Sequence, residues 1–346
     1  MDIKRKIKVL IVDDSLLFRE TLARGIAKDP AINVVGTAAD PYQASELIVK
    51  LEPDVMTLDV EMPRMNGIDF LRKLMPQHPL PVVMVSGVDS SVFDALNAGA
   101  VDFVNKPDFK NRNGLELLFN ELIVKIKIAS TAKLGHWKTS TGPSKMMPKV
   151  NSGSPVQVIA IGASTGGTEA TERVLREFPP NMPGTVVVQH MPALFTRMYA
   201  ERLNNICLME VKEAENGDRV YPGRILIAPG DYQMRLKKAG SEFMVECFKG
   251  EKVNGHCPSV DVLFNSVAQQ AGRSAVGVIL TGMGADGAQG LLAMRRQGAR
   301  TIGQDEASSV VYGMPKVAYE MGAVEQQAPP DSIAGLIYNL VYQNRQ

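Results

Sequence analysis

Short aliphatic, β-branched runs recur through the first third of the chain. They are "KVLIVDD" from Lys8, "INVVGTA" from Ile32, "DVMTLDV" from Asp54, "PVVMVSG" from Pro81 and "VDFVNKP" from Val101. Between them lie stretches with apolar positions every three or four residues, such as "SLLFRETLARGIAKD" and "ASELIVKLEP". A continuous apolar run too short for a helix reads as a strand buried on both faces, and the amphipathic stretches read as the helices that cover it. The pattern predicts a βα repeat around a parallel sheet. The second half does the same with "VQVIAIG", "GTVVVQH", "GRILIAPGD", "FMVECF", "AVGVILTG" and "ARTIGQ" as strands. Its predicted helices include "TEATERVLREF", "SVDVLFNSVAQQA" and "GAQGLLAMRRQ". Both halves are therefore expected to be α/β, the second a doubly wound, mostly parallel sheet.

The two patterns are separated by a stretch that has neither. From Leu122 to Thr168 there is no Asp or Glu, and "STAKLGHWKTSTGPSKMMPKVNSGSP" is rich in Ser, Thr, Gly, Pro and Lys. It reads as a flexible basic linker over 129–154, leaving domains at 1–128 and 155–346. A length of 346 residues suits two domains. Lys and Arg total 38 against 37 Asp and Glu, so no global field recruits nucleic acid or an acidic membrane. Cys207, Cys247 and Cys257 are odd in number and lack metal-like spacing, which argues for a reducing compartment. The start, "MDIKRKIKVLIVDDS", is a first strand rather than a signal peptide, and no apolar run approaches the roughly 20 residues of a spanning helix. A cytoplasmic protein is expected.

In parallel α/β sheets, functional groups gather beyond the carboxyl ends of the strands. In the first half those ends carry Asp13 and Asp14, then Asp59, Ser86 and Lys106. Converging carboxylates repel one another, and an all-oxygen set with open positions suits Mg²⁺. With the metal and Lys106 screening that charge, Asp59 could attack phosphorus and form an acyl phosphate, with Ser86 placed to hydrogen-bond a phosphoryl oxygen. The competing reading is that each Asp only caps the helix after it. "LIVDDS", "VMTLDVEMPRMNGIDFL", "VVMVSG" and "DFVNKP" resemble the receiver domain of two-component response regulators. The resemblance implies a flavodoxin-like fold, Mg²⁺ at Asp13, Asp14 and Asp59, and phosphorylation of Asp59 by a histidine kinase. Phe103 would stand at the family's aromatic switch position, without a hydroxyl.

In the second half, "VIAIGASTGGTEA" places Ser164 in G-x-S-x-G between a strand and a helix. The turn could present a nucleophile, cradle a phosphate or simply connect. A serine nucleophile needs a base. His78 and His136 fall in the first half and the linker, His190 ends the next strand, and His256 precedes a helix. Consecutive strands are usually neighbours, which favours His190 over His256. A carboxylate should orient the imidazole. Asp286, in the glycine-rich "TGMGADG", is favoured over Asp231 and Asp305, because its loop can also aim backbone N–H groups, that of Met283 among them, at an oxyanion. The order Ser, His, Asp excludes the standard α/β-hydrolase connectivity. Neither glycine-rich loop matches a dinucleotide fingerprint or a P-loop lysine.

"IGASTGG", "VVQHMP", "APGDYQ", "HCPSVDVLF" and "ILTGMGADGAQGL" resemble, in order, the catalytic domain of chemotaxis protein-glutamate methylesterases. The resemblance implies a Ser164–His190–Asp286 triad, with Thr165 and Met283 near the oxyanion and no metal in this half. Its substrates would be glutamyl γ-methyl esters on the cytoplasmic helices of chemoreceptors, with methanol released, and certain receptor glutamines would be deamidated. Family members commonly carry Arg where this chain has Cys257. In the family the receiver restrains the catalytic domain until it is phosphorylated. A monomer that meets the membrane only through receptors is expected. The other reading left by the residues is a non-catalytic phospho-switch whose second domain binds a nucleotide or a partner.

Overall fold

The computed structural model describes residues 5–87, 91–107, 114–134 and 156–342. They form two compact units, one on either side of the basic stretch. Residues 135–154 of the expected linker, His136 included, lie outside the described residues.

In the first unit, strands β1 (Ile7–Val12), β2 (Ile32–Ala38), β3 (Val55–Leu58), β4 (Val82–Ser86) and β5 (Asp102–Asn105) alternate with helices. Those helices are α1 (Leu16–Ile26), α2 (Pro41–Leu51), α3 (Gly67–Leu74), α4 (Ser91–Ala98) and α5 (Gly114–Ala129). The strands pair in parallel in the order β2-β1-β3-β4-β5, the flavodoxin-like order. Every residue of β3 and β4 is buried, as strands covered on both faces require.

The second unit begins with β6 (Val158–Ala163), α6 (Gly167–Arg176), β7 (Gly184–Gln189), α7 (Ala193–Ile206), β8 (Glu210–Glu213), β9 (Arg219–Val220) and β10 (Arg224–Ile227). A hairpin of β11 (Gln233–Ala239) and β12 (Glu242–Phe248) follows, then α8 (Val260–Gln270) and β13 (Ala275–Ile279). Helix α9 (Ala288–Arg296), β14 (Arg300–Gln304), α10 (Met314–Glu320), β15 (Gln326–Ala328) and α11 (Pro330–Tyr342) complete it. Seven strands pair in parallel in the order β15-β14-β13-β6-β7-β10-β8. The run "FMVECF" does not join them. It is β12 of a separate antiparallel sheet, β11-β12-β9. Its alternation of buried and less buried positions marks a sheet covered on one face only. Strands β8 and β15 are short edge strands, which is why their sequences carry little hydrophobic signal.

The chain leaves β6 toward β7 on one side and returns to β13 on the other, so β6 is the switch point of the sheet. Its carboxyl end, with those of β7 and β13, forms the crevice where such folds act. Helix α8 lies tight against β6 because Gly162 has no side chain. A Cβ there would collide with the side chain of Val260 in the first turn of α8. Gly162→Ala should therefore cost about 1–3 kcal/mol through overpacking. Hydrogen exchange on the full chain would show the loss confined to residues 156–342. Unchanged protection of β6 and α8 would refute the close-approach argument.

Candidate active site

Residues Ala163 and Gln189 are register partners at the ends of β6 and β7. The next residue on each strand is Ser164 and His190, so both emerge on neighbouring strands about 4.8 Å apart. The His190 N–H donates to the Ala163 carbonyl at 3.1 Å, and the Ser164 N–H donates to the Thr281 carbonyl at 3.0 Å. Gly167 N–H closes the turn onto the Ser164 carbonyl at 2.7 Å, and Gly166 has φ 74, a left-handed conformation suited to glycine. Behind the turn, buried Gln189 donates its amide to the Ser164 carbonyl at 2.8 Å.

Strand β13 delivers the glycine-rich loop against the same point. A Cβ on Gly282 would stand 2.6 Å from the Ser164 Cβ, so only glycine allows the approach. The buried Thr281 hydroxyl donates to the Thr165 carbonyl at 3.0 Å and accepts the Val311 N–H at 2.9 Å, tying the two loops together. Thr165 is buried beside Ser164, and Met283 is exposed on the loop.

Asp286, 2 % exposed, meets His190: its Oδ2 lies 2.8 Å from Nε2. An ionised carboxylate only accepts, so Nε2 carries the proton and Nδ1 is the bare acceptor of the neutral ring. Nδ1 is buried with no hydrogen-bond partner. Asp286 is held further by Ser259 Oγ (2.7 Å), Asn254 Nδ2 (2.9 Å) and the N–H groups of Val260 (2.7 Å) and Asp261 (3.2 Å). Burial alone would raise its pKa, but the bonds from His190, Asn254 and Ser259 outweigh it and hold the carboxyl well below the usual range. Of the other carboxylates weighed from sequence, Asp305 binds Ser308 instead. Asp231 stands in a turn at φ 63, its N–H on the Cys257 carbonyl.

Helices α8 and α9 exchange caps at this point. Ser259 and Gly287 make no side-chain cap of their own. Asp286 instead accepts the first N–H groups of α8, and Asp261 accepts Gly290 N–H at 2.6 Å in the first turn of α9. Asn254, Ser259, Asp261, Gln189 and Thr281 were not identified from the sequence. The signals that pointed to three of them were "NG" before the histidine and "SVD" at a helix start.

His256, the rival base, is also here. Its ring stacks on that of His190, centroids 3.7 Å apart and planes within 8°. Burial pushes its pKa down to about 4, with the neighbouring His190 adding to the effect and Asp286 opposing it. The three cysteines are free. Burial pushes Cys207 and Cys247 up to about 12, so neither is a thiolate nucleophile.

In the first unit, Asp13, Asp14 and Asp59 each offer an oxygen within 4.8 Å of the others. Asp13 and Asp59 are buried and Asp14 is exposed. Lys106 Nζ lies 2.7 Å from Asp59 and 2.8 Å from Asp13, and Ser86 is buried at the end of the neighbouring β4. Burial, with Asp13 adding to it, raises Asp59 to about 6 against the pull of Lys106. One ammonium therefore does not satisfy the cluster. The oxygen-only donor set with an exposed side fits a hard divalent cation. The capping reading fails for Asp59, because α3 is capped by Asn66. Arg19, also not identified from sequence, braces the loop by donating to the Asp13 and Asp14 carbonyls at 2.6 and 3.0 Å. Phe103 is buried, with Lys125 Nζ 4.9 Å from its ring centroid.

Residues 159–337 match the model of the CheB methylesterase family, and residues 9–118 match that of the response regulator receiver domain. The chain belongs to the CheB methylesterase family. A protein-glutamate methylesterase/protein-glutamine glutaminase of Syntrophomonas wolfei is 66% identical over 340 residues, covering 98% of this chain and 99% of that protein. The Escherichia coli protein of the same name is 52% identical over 326 residues, 92% of each chain. The crystal structure of the Thermotoga maritima CheB methylesterase catalytic domain matches at TM-score 0.53 and 36% identity, covering 54% of this chain and 99% of that one. Among the described residues no helix is long and apolar enough to cross a membrane.

The depressed His256 has a consequence for this methylesterase-family fold. A histidine that binds its proton more weakly when folded makes the fold lose stability as pH falls from 6.5 toward about 4. His256→Phe keeps a flat ring and removes the proton. Denaturation of the full chain should show the variant gaining on wild type across that window, with a constant difference above it. Parallel stability curves down to pH 4 would contradict the buried, neutral imidazole.

Proposed function

We propose that the second unit hydrolyses glutamyl γ-methyl esters through Ser164, His190 and Asp286. The carrying observation is the 2.8 Å His190–Asp286 bond, which leaves buried Nδ1 as a bare acceptor on the strand beside Ser164. Nδ1 takes the Ser164 proton as Oγ attacks the ester carbonyl. Backbone N–H groups of Thr165 and Met283 receive the oxyanion, each such donor being worth about 3 kcal/mol. The imidazolium gives its proton to the departing methoxide, and methanol leaves. Water then gives a proton to Nδ1 and attacks the acyl-enzyme. Collapse releases the glutamate carboxyl and returns the proton to Ser164. Asp286 stays ionised throughout and stabilises the imidazolium. A glutamine amide follows the same route with ammonia as leaving group, more slowly because nitrogen leaves less readily.

The substrates on this reading are methylated glutamates and certain glutamines of chemoreceptors, met in the cytoplasm, as the relatives' names and the receiver domain together support. Asp59 accepts a phosphoryl group from a chemotaxis histidine kinase. Asp13, Asp14 and Asp59 would hold Mg²⁺, which when bound supplies the charge neutralisation the phosphoryl donor requires. Lys106 Nζ and the Ser86 hydroxyl bind the phosphoryl oxygens. Phosphorylation raises the esterase rate.

Methanol release from methylated receptor membranes tests the proposal. Ser164→Ala should lower the rate by about 10³-fold or more while the receiver still accepts phosphate. A small-molecule phosphodonor should stimulate the wild type, and Asp59→Asn should abolish the stimulation while keeping the basal rate. Met283→Ala should retain most of kcat, since its backbone rather than its side chain is used. Full turnover by Ser164→Ala would end the hydrolase reading.

A further inference from the structure

Four residues before α8, the chain makes a tight two-residue turn. Val253 N–H donates to the His256 carbonyl at 2.9 Å, and His256 N–H donates back to Val253 at 2.9 Å. The central residues, Asn254 and Gly255, have φ 53 and 84. Two consecutive left-handed residues are the signature of a type I′ turn, and Asn-Gly is the pair that tolerates it best.

The turn sends its two polar side chains to the two members of the proposed catalytic pair. Asn254 Nδ2 lies 2.9 Å from Asp286 Oδ1 and 2.7 Å from Asp261 Oδ2. One amide nitrogen has two hydrogens, so each carboxylate receives one. His256 lays its ring flat on His190. The turn is itself anchored. Buried Gln233 of β11 donates its amide to the Glu251 carbonyl at 2.9 Å and to the His256 carbonyl at 3.3 Å. Its Oε1 accepts Ser259 N–H at 2.9 Å. The antiparallel sheet thus reaches the centre through this turn and the segment that leads into α8.

We propose that the Val253–His256 turn is a positioning element for hydrolysis, with Asn254 fixing the Asp286 carboxylate and His256 fixing the plane of the His190 ring. The proposal rests on the Ser164–His190–Asp286 reading. Asn254 separates two carboxylates that would otherwise face each other unscreened, and it prevents Asp286 from rotating Oδ2 away from Nε2. The neutral His256 ring covers one face of His190 and keeps water from it. The charged and titratable groups around the pair are His256 from the turn, Asp261 from α8 and Lys252 from the preceding loop, which acts on His256.

Two variants separate backbone from side chain. Asn254→Gly keeps the left-handed backbone and removes the amide. Gly255→Ala keeps the amide and strains the turn at positive φ. Each should lower kcat for methyl ester hydrolysis roughly 10- to 100-fold through misplacement, with KM within twofold of wild type. The chain has four histidines, so selective labelling resolves the imidazole of His190 by NMR. Its Nε2–H resonance should move in both variants, and also when they are made on Ser164→Ala. That second readout needs no turnover, so it judges the turn even if the esterase reading fails. Thermal unfolding is measured alongside. If Asn254→Gly does not fold, Gly255→Ala carries the test. Folded variants with wild-type kcat and an unmoved His190 resonance would overturn the proposal.

Discussion

The carboxylate of Asp286 is the constraint on which the catalytic half depends. It is almost wholly buried, and a buried charge survives only where hydrogen bonds replace water. Its oxygens accept from His190, Asn254, Ser259, Val260 and Asp261. Two of these donors are the free N–H groups at the start of α8, where the helix dipole favours negative charge by up to about 2 kcal/mol. The carboxylate therefore replaces the cap that α8 lacks. The imidazole it holds is placed by the cap of a helix, and helix and site cannot be perturbed separately.

That dependence explains the arrangement around β6. Gly162 lets α8 approach the sheet, which sets where its N-terminus falls. Gly282 lets the loop from β13 approach Ser164, which sets where Asp286 starts. Asp261 returns the capping favour to α9, the helix that follows Asp286. Each close approach is at a glycine, and each fixes one coordinate of the same His190–Asp286 pair.

The hydrophobic pattern made the central parallel strands legible because they are buried on both faces, and strand-end logic then brought Ser164, His190 and Asp286 to one edge. The choice of His190 over His256 rested on strand adjacency. The structure puts both rings at the site, one bonded to Asp286 and the other stacked on it. What the pattern did not reveal was long-range polar pairing. Asn254, Asp261, Gln189 and Thr281 act through partners 7 to 116 residues away, and no local periodicity encodes such a partner. Arg19 was hidden for a related reason: in an amphipathic stretch it reads as a surface residue, yet its guanidinium is spent on backbone carbonyls. The antiparallel assignment of β12 needed its partners β11 and β9, which carry alternating rather than continuous apolar runs.

Each half uses the carboxyl end of its own sheet, to opposite electrostatic ends. Asp59 is under-satisfied: burial and Asp13 raise it to about 6 against the pull of Lys106. A carboxylate with few donors keeps its lone pairs available, and that is what an acceptor of a phosphoryl group needs once a cation relieves the repulsion. Asp286 is over-satisfied, and donors on both oxygens keep it ionised and unreactive toward carbon or phosphorus. On the proposed mechanism its charge reaches the reacting atoms through the imidazole. On the proposed reading, the number of donors that each fold supplies, rather than the kind of side chain, decides which aspartate is available for bond formation and which serves as a fixed charge.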